Sequence, residues 1–289
     1  MLPLSALEEM AHPVVMPSVT VIDTVSNLKN FLSGLRELDM DPVPLFVEFK
    51  GRDVSREGSL SIISIFVRPE NKIYLINMHA IDNDDVFSTE DSTGTTLESI
   101  FECPVLRKAV FDVRGASNVL FHQHDITLDG IVDIQLMELA TRDGSREFVR
   151  GLATCVRNDS PLSAKEKLRW QESNEFRKMI FCPEADGCLT EQYMETTLHT
   201  EIKDHCAYSL VVLSRLYDVY DARLKQGATK FWKTEIRSAT EARINDTKKE
   251  EFDVYDRENA YGPWDEEELE MKMERRDSCP RGVTKSDRE

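Results

Sequence analysis

The 289-residue sequence contains no apolar run long enough to cross a membrane and no C-x-x-C pair. The first absence argues against a membrane helix. The second, with six scattered cysteines (Cys103, Cys155, Cys182, Cys188, Cys206, Cys279), favours reduced thiols in an intracellular, soluble protein over a disulfide frame. The opening MLPLSALEEM lacks the basic start of a signal peptide and is interrupted by two glutamates. No internal repeat is visible. Positive charge is also scarce: 36 Lys and Arg stand against 53 Asp and Glu, a formal net charge of −17. A field of that sign repels phosphate backbones, so nucleic-acid contact would need a local basic patch, and the balance leans toward protein partners. The remaining composition is that of a globular chain, long enough for one large domain or two small ones.

Periodicity supplies the elements. Residues 1–18 read as an irregular lead. DTVSNLKNFLSGLREL then carries Val25, Leu28, Phe31, Leu32, Leu35 and Leu38 at helical spacing, with Asp23 or Thr24 as N-cap. Three strand-like runs follow, LFVEFKG, SLSIISIFV (59–67) and KIYLINM (72–78), joined by polar turns that suit antiparallel hairpins. Next come a helix over 96–103, a strand over 108–113, a helix near 115–124 and the apolar stripe of GIVDIQLMELATR. From 146 to 224 the pattern predicts mostly helix: Phe148, Leu152 and Val156 recur at fourfold spacing, Pro161 stands before or at a helix start, and 201–224 is one long amphipathic helix. Beyond Gln226 the composition becomes charge-dense and poor in aliphatics. The predicted layout is α/β, a mixed central sheet flanked by helices over 19–225, followed over 226–289 by a helical arm and partly disordered tail.

VEFKG carries Glu48 and Lys50 two residues apart, on one face of a strand, with Val47 and Phe49 on the other. Together with SREGSLSIISIFV, VFDVRGASNVLFHQHDITLDGIVDIQLMELATR, FVRGLATCV and RENAYGPW, this segment resembles the DEDD superfamily of 3′–5′ exonucleases, which has a ribonuclease H-like fold. The likeness is greatest to fungal proteins carrying such a domain. It covers about residues 19–225 well and the arm to Trp264 more loosely. Active members hold two divalent metal ions on four carboxylates, one ion activating water and the other steadying the leaving oxygen. Carried onto this sequence, the first acid pair falls on Glu48 and Lys50, the third acid on Ala116 and the fourth on Ser209, with His205 in place of the water-orienting tyrosine. The resemblance therefore implies a metal-binding strand that has lost its metal. Glu48, Lys50, Ala116 and Ser209 sum to zero charge, whereas Mg²⁺ demands oxygen ligands and dehydrates reluctantly. No cofactor is expected.

Other residues offer competing readings. A rebuilt nuclease would draw on Glu48, Asp112 and Asp133 with Mg²⁺ or Mn²⁺; Asp112 and Asp133 read more readily as structural, and Asp204 points about 100° round the helix from His205. His205 has a general-base reading beside the plainer one of a half-buried helix histidine bonded near Glu48. Ser209 lacks a triad or a glycine-flanked elbow. Cys182, Cys188, His205 and Cys206 could form a zinc site, though CPEADGC is more widely spaced than structural zinc pairs commonly are. HQHD (122–125) fits a solvated turn better than a ligand set. KFWKTEIR offers Lys230, Phe231, Trp232, Lys233 and Arg237, with Lys50, as a surface for single-stranded RNA or DNA; the competing reading docks the aromatics on the domain. The sequence thus predicts an inactive exonuclease-like domain serving as a protein-interaction scaffold. Its contacts would be the acidic arm and tail or the vacated cleft. The alternative is an active metal-dependent exonuclease.

Overall fold

Alternation along a single strand sorts the core into two halves. In strand β2 (Leu45–Lys50) Phe46 packs into one hydrophobic cluster and Leu45 and Val47 into the other, as the two-residue period of a strand requires. A computed structural model describes residues 16–35, 43, 45–81, 83–181, 197–227 and 229–277. Most of the lead, Leu38, Cys182, Cys188 and the tail from residue 278 lie outside the described residues, as do the expectations placed on them.

The sheet has six strands in the order β1-β4-β3-β2-β5-β6. Strands β2, β3 (Ile62–Val67) and β4 (Lys72–Asn77) form the expected antiparallel meander, with Glu48 opposite Ser64 and Lys50 opposite Ile62. Strand β1 (Ser18–Ile22) pairs parallel with β4, while β5 (Lys108–Val110) and β6 (Ile131–Asp133) extend the other edge in parallel. One face is covered by helices α1 (Val25–Gly34), α2 (Asn83–Ser88), α3 (Leu97–Glu102) and α4 (Val113–His124). The other is covered by α5 (Ile134–Thr141), α6 (Leu152–Asp159), α7 (Ala164–Phe181), α8 (Thr200–Gln226) and α9 (Thr229–Thr247), with α10 (Glu266–Asp277) following.

Local chemistry sets the ends of these elements. Thr24 caps α1 by accepting from Asn27 N, and Thr96 and Ser99 cap α3 reciprocally. Asp112 and Asp133 cap α4 and α5. The buried Lys108 ammonium caps the other end of α3, donating to Ile100 O (2.9 Å) and Cys103 O (2.8 Å). Burial pushes that amine down to about 8.

Four expectations change. Strand β1 falls partly inside the lead. The fourth strand of the expected layout stops at Val110 because Asp112 turns the chain into α4. Phe148 is not helical: α6 starts at Leu152, and Phe148 bridges Tyr261 in extended conformation. Helix α9, beyond the boundary drawn at 225/226, contributes Phe231, Trp232, Ile236 and Ala239 to the same core as the sheet. Among the described residues no helix is long and apolar enough to cross a membrane.

Candidate functional site

Phe46, Glu48 and Lys50 share the sheet face that meets α8. There Lys50 Nζ lies 2.7 Å from Glu48 Oε2, with the Lys50 side chain 3% exposed and that of Glu48 24%. The approach is close, but its angles are not those of a hydrogen bond, so the contact is an ion pair. The Ser209 hydroxyl donates to Glu48 Oε1 at 3.0 Å. Both carboxylate oxygens are thus engaged, one by an ammonium and one by a hydroxyl, and β2 is tied to α8.

His205 lies one turn before Ser209 and is buried. Its Nδ1 is 2.7 Å from Ser173 Oγ on α7, and its Nε2 has no hydrogen-bond partner. Burial, helped by the nearby cations Lys50 and Arg177, pushes His205 down to about 2. A base so depressed is a poor acceptor at neutral pH. The sign of the pH effect follows. Between about 2 and 6.5 the unfolded chain takes up a proton that the folded chain refuses, so stability falls as the solution is acidified below 6.5, by at most about 1.4 kcal/mol per pH unit. His205→Gln is expected to flatten that slope in denaturant titrations from pH 7 to 4; an unchanged slope would reject the assignment.

Ala116 packs its methyl group into the cluster on the opposite face of the sheet. Asp112 and Asp133 are committed elsewhere. Arg114 clamps both oxygens of Asp112 at 2.7 Å and 2.7 Å. Asp133, fully buried, accepts from the backbone N–H of Asp112 (3.0 Å), Val113 (3.2 Å) and Gln135 (3.0 Å) and from Arg243 Nη1 (2.7 Å). The two paired arginines hold the Asp112 carboxyl below the usual range against the desolvation that would raise it. Through these contacts the two acids of the alternative set, Asp112 and Asp133, join β5, β6, α4 and α9, and each carboxylate is engaged by an arginine.

A divalent-metal pair does not fit. One carboxylate, already neutralised by an ammonium and bonded by a hydroxyl, stands where hard cations need several anionic oxygens. Among the described residues, no group of three or more His, Cys, Asp or Glu could hold a metal ion. Of the zinc candidates, Cys206 is fully buried beside Ser64, and burial pushes its thiol up to about 11. Asp204 is exposed, and His122 bonds Thr247 O at 3.1 Å.

The nucleic-acid surface expected on α9 is corrected in part. Phe231 and Trp232 are 7% and 8% exposed and pack on each other, with Trp232 also against Trp264, so they present no face to a base. Lys50 is likewise buried. Arg237 is exposed but pairs with Glu241 at 2.8 Å. Sequence reasoning missed a charged network under α5. Buried Glu138 pairs with Arg142 and Arg150, and Asp159 with Arg223. The fourfold spacing of Glu138 and Arg142 was its visible signal.

No protein-family model matches the chain, and no curated protein does. Solved structures match it. RNase D of Trypanosoma brucei superposes with a TM-score of 0.60 at 12% identity, covering 85% of this chain and 78% of that one. The fold is that of RNase D. The same trypanosomal protein in complex with RNA U12 gives 0.60 at 12% identity, over 92% of this chain and 81% of that one. Escherichia coli RNase D gives 0.52 at 12% identity, over 80% and 51%. Likeness at this identity establishes the RNase D fold, which is the ribonuclease H-like architecture expected from the sequence. What the chain does with it rests on the side chains described above.

Proposed function

We propose that this chain is a catalytically silent exonuclease-like domain, retained as a protein-interaction scaffold. The observation that carries the reading is the Lys50–Glu48 ion pair at 2.7 Å, capped by Ser209, which places a covalently attached cation on the only carboxylate among the four positions of the resemblance. Charge composition supports protein over nucleic acid as partner, because a chain of −17 repels phosphate. The RNA in the complex of the trypanosomal RNase D leaves single-stranded nucleic acid as a secondary ligand, bound without cleavage. The described cysteines Cys103, Cys155 and Cys206 are free thiols, which suits work inside the cell.

A nuclease assay tests this. Purified protein is incubated with 5′-labelled single-stranded RNA and DNA in Mg²⁺ or Mn²⁺, beside Glu48→Gln. Intact substrate throughout is the expected outcome. Stepwise shortening that disappears in the variant would overturn the reading and restore the metal-dependent exonuclease.

A further inference from the structure

Two of the segments behind the family resemblance, FVRGLATCV and RENAYGPW, take no part in the site around Glu48, yet the fold brings them together. Phe148 and Tyr261 form an antiparallel bridge. Val149 N donates to Ala260 O at 2.9 Å and Gly262 N to Glu147 O at 2.7 Å, so the two stretches make a short ribbon. A side chain at Gly262 would place its Cβ 2.1 Å from Arg146 O, so close approach of the strands requires glycine there. The ribbon turns two rings outward. Phe148 is 46% exposed and Tyr261 55%, with centroids 4.9 Å apart.

Exposed rings held side by side mark a contact surface better than scattered apolar residues do. The charge of the flanking sequence sets the sign of the partner. From Glu250 to Glu270 the chain carries ten acidic residues and one basic residue, Arg257; Glu147 and Glu258, beside the rings in sequence, are exposed. Of the cations flanking Phe148, Arg146 is turned inward over the Trp232 ring at 5.1 Å, Arg142 donates to Phe148 O at 2.8 Å, and Arg142 and Arg150 both pair with buried Glu138. A nucleic acid would find stacking surface here but repulsive charge. An arginine-rich peptide would find both stacking and attraction, because guanidinium planes lie on aromatic faces and pair with carboxylates.

We propose that Phe148 and Tyr261 are the docking platform for an arginine-rich segment of a protein partner. The proposal rests on the scaffold reading and gives the partner its chemistry. The guanidinium groups stack on the two rings while the acidic residues of the flanking stretches, Glu147 and Glu258 among them, attract them and steer the encounter.

The test is fluorescence anisotropy with a labelled peptide of about twelve residues alternating arginine and serine, at physiological ionic strength, beside a lysine–serine peptide of equal charge. Wild type is expected to prefer the arginine peptide, and Phe148→Ser/Tyr261→Ser to weaken it by about tenfold. Phe148→Leu/Tyr261→Leu, which keeps apolar bulk on the ribbon, is expected to weaken it similarly, with an unchanged melting temperature showing that the ribbon is intact. Equal binding by wild type and both variants would mean attraction by bulk charge only and would overturn the proposal. Absence of binding, or displacement of the peptide by oligouridine, would also overturn it. Cleavage in the nuclease assay would sink the silent-domain reading while leaving the peptide result standing.

Discussion

Replacing Asp133 by alanine is expected to remove about 3–5 kcal/mol of folding stability, the cost of leaving a buried charge without its partner. Asp133 accepts three backbone N–H groups and the Arg243 guanidinium. Its loss strands a buried arginine from α9 and uncaps α5 in one step. Asp133→Asn keeps an acceptor for the backbone donors and removes the charge, so a smaller loss is expected. Urea titrations of the three proteins decide it. A loss below about 1 kcal/mol in the alanine variant would show that Arg243 finds Asp112, now 3.7 Å away, an adequate substitute.

The second large effect concerns Glu48 and Lys50. Glu48→Gln leaves an ammonium buried without a carboxylate, and a loss of about 3–5 kcal/mol is expected. Lys50→Met leaves a carboxylate that is partly solvated and still receives the Ser209 hydroxyl, so the loss should be nearer about 1–3 kcal/mol. The double variant replaces the ion pair with a neutral pair of similar volume. It is expected to lie within about 1 kcal/mol of wild type, since a buried ion pair adds little net stability over such a replacement. Stability measured through this double-mutant cycle gives the coupling directly. A double variant as unstable as the sum of the single ones would show that Glu48 and Lys50 act separately. Such a result would remove the observation on which the silent site rests.

Much of the site was visible in the sequence because local periodicity governs it. A strand places residues 48 and 50 on one face whatever lies opposite, and a helix places 205 and 209 one turn apart. The antiparallel meander was visible too, since short polar turns leave adjacent strands few other ways to pair. Periodicity fails where a distant segment supplies the partner. Phe148, Leu152 and Val156 fit a helix, but Phe148 is held extended by Tyr261. Strand β1 is five residues long and completes its hydrogen bonds on β4, with partners 54 residues away in sequence and beyond any local signal. Phe231 and Trp232 are neighbours on a helix and cannot lie on one line of it. Both are nevertheless buried, because α9 is wedged against α4, α5, β6 and α8, and its two rings join the cluster on the α8 face of the sheet.

The sequence by itself determined the antiparallel meander, most of the helices and the acidic field, because composition and short-range spacing are properties of the chain alone. Only the tertiary structure decided how the buried charges are neutralised. The Lys50 ammonium and Ser209 hydroxyl close on opposite oxygens of Glu48, and Arg243 crosses from α9 to Asp133, 110 residues back along the chain. Burial makes each pairing obligatory, since a charge removed from water must find its counter-charge wherever the fold brings one within reach.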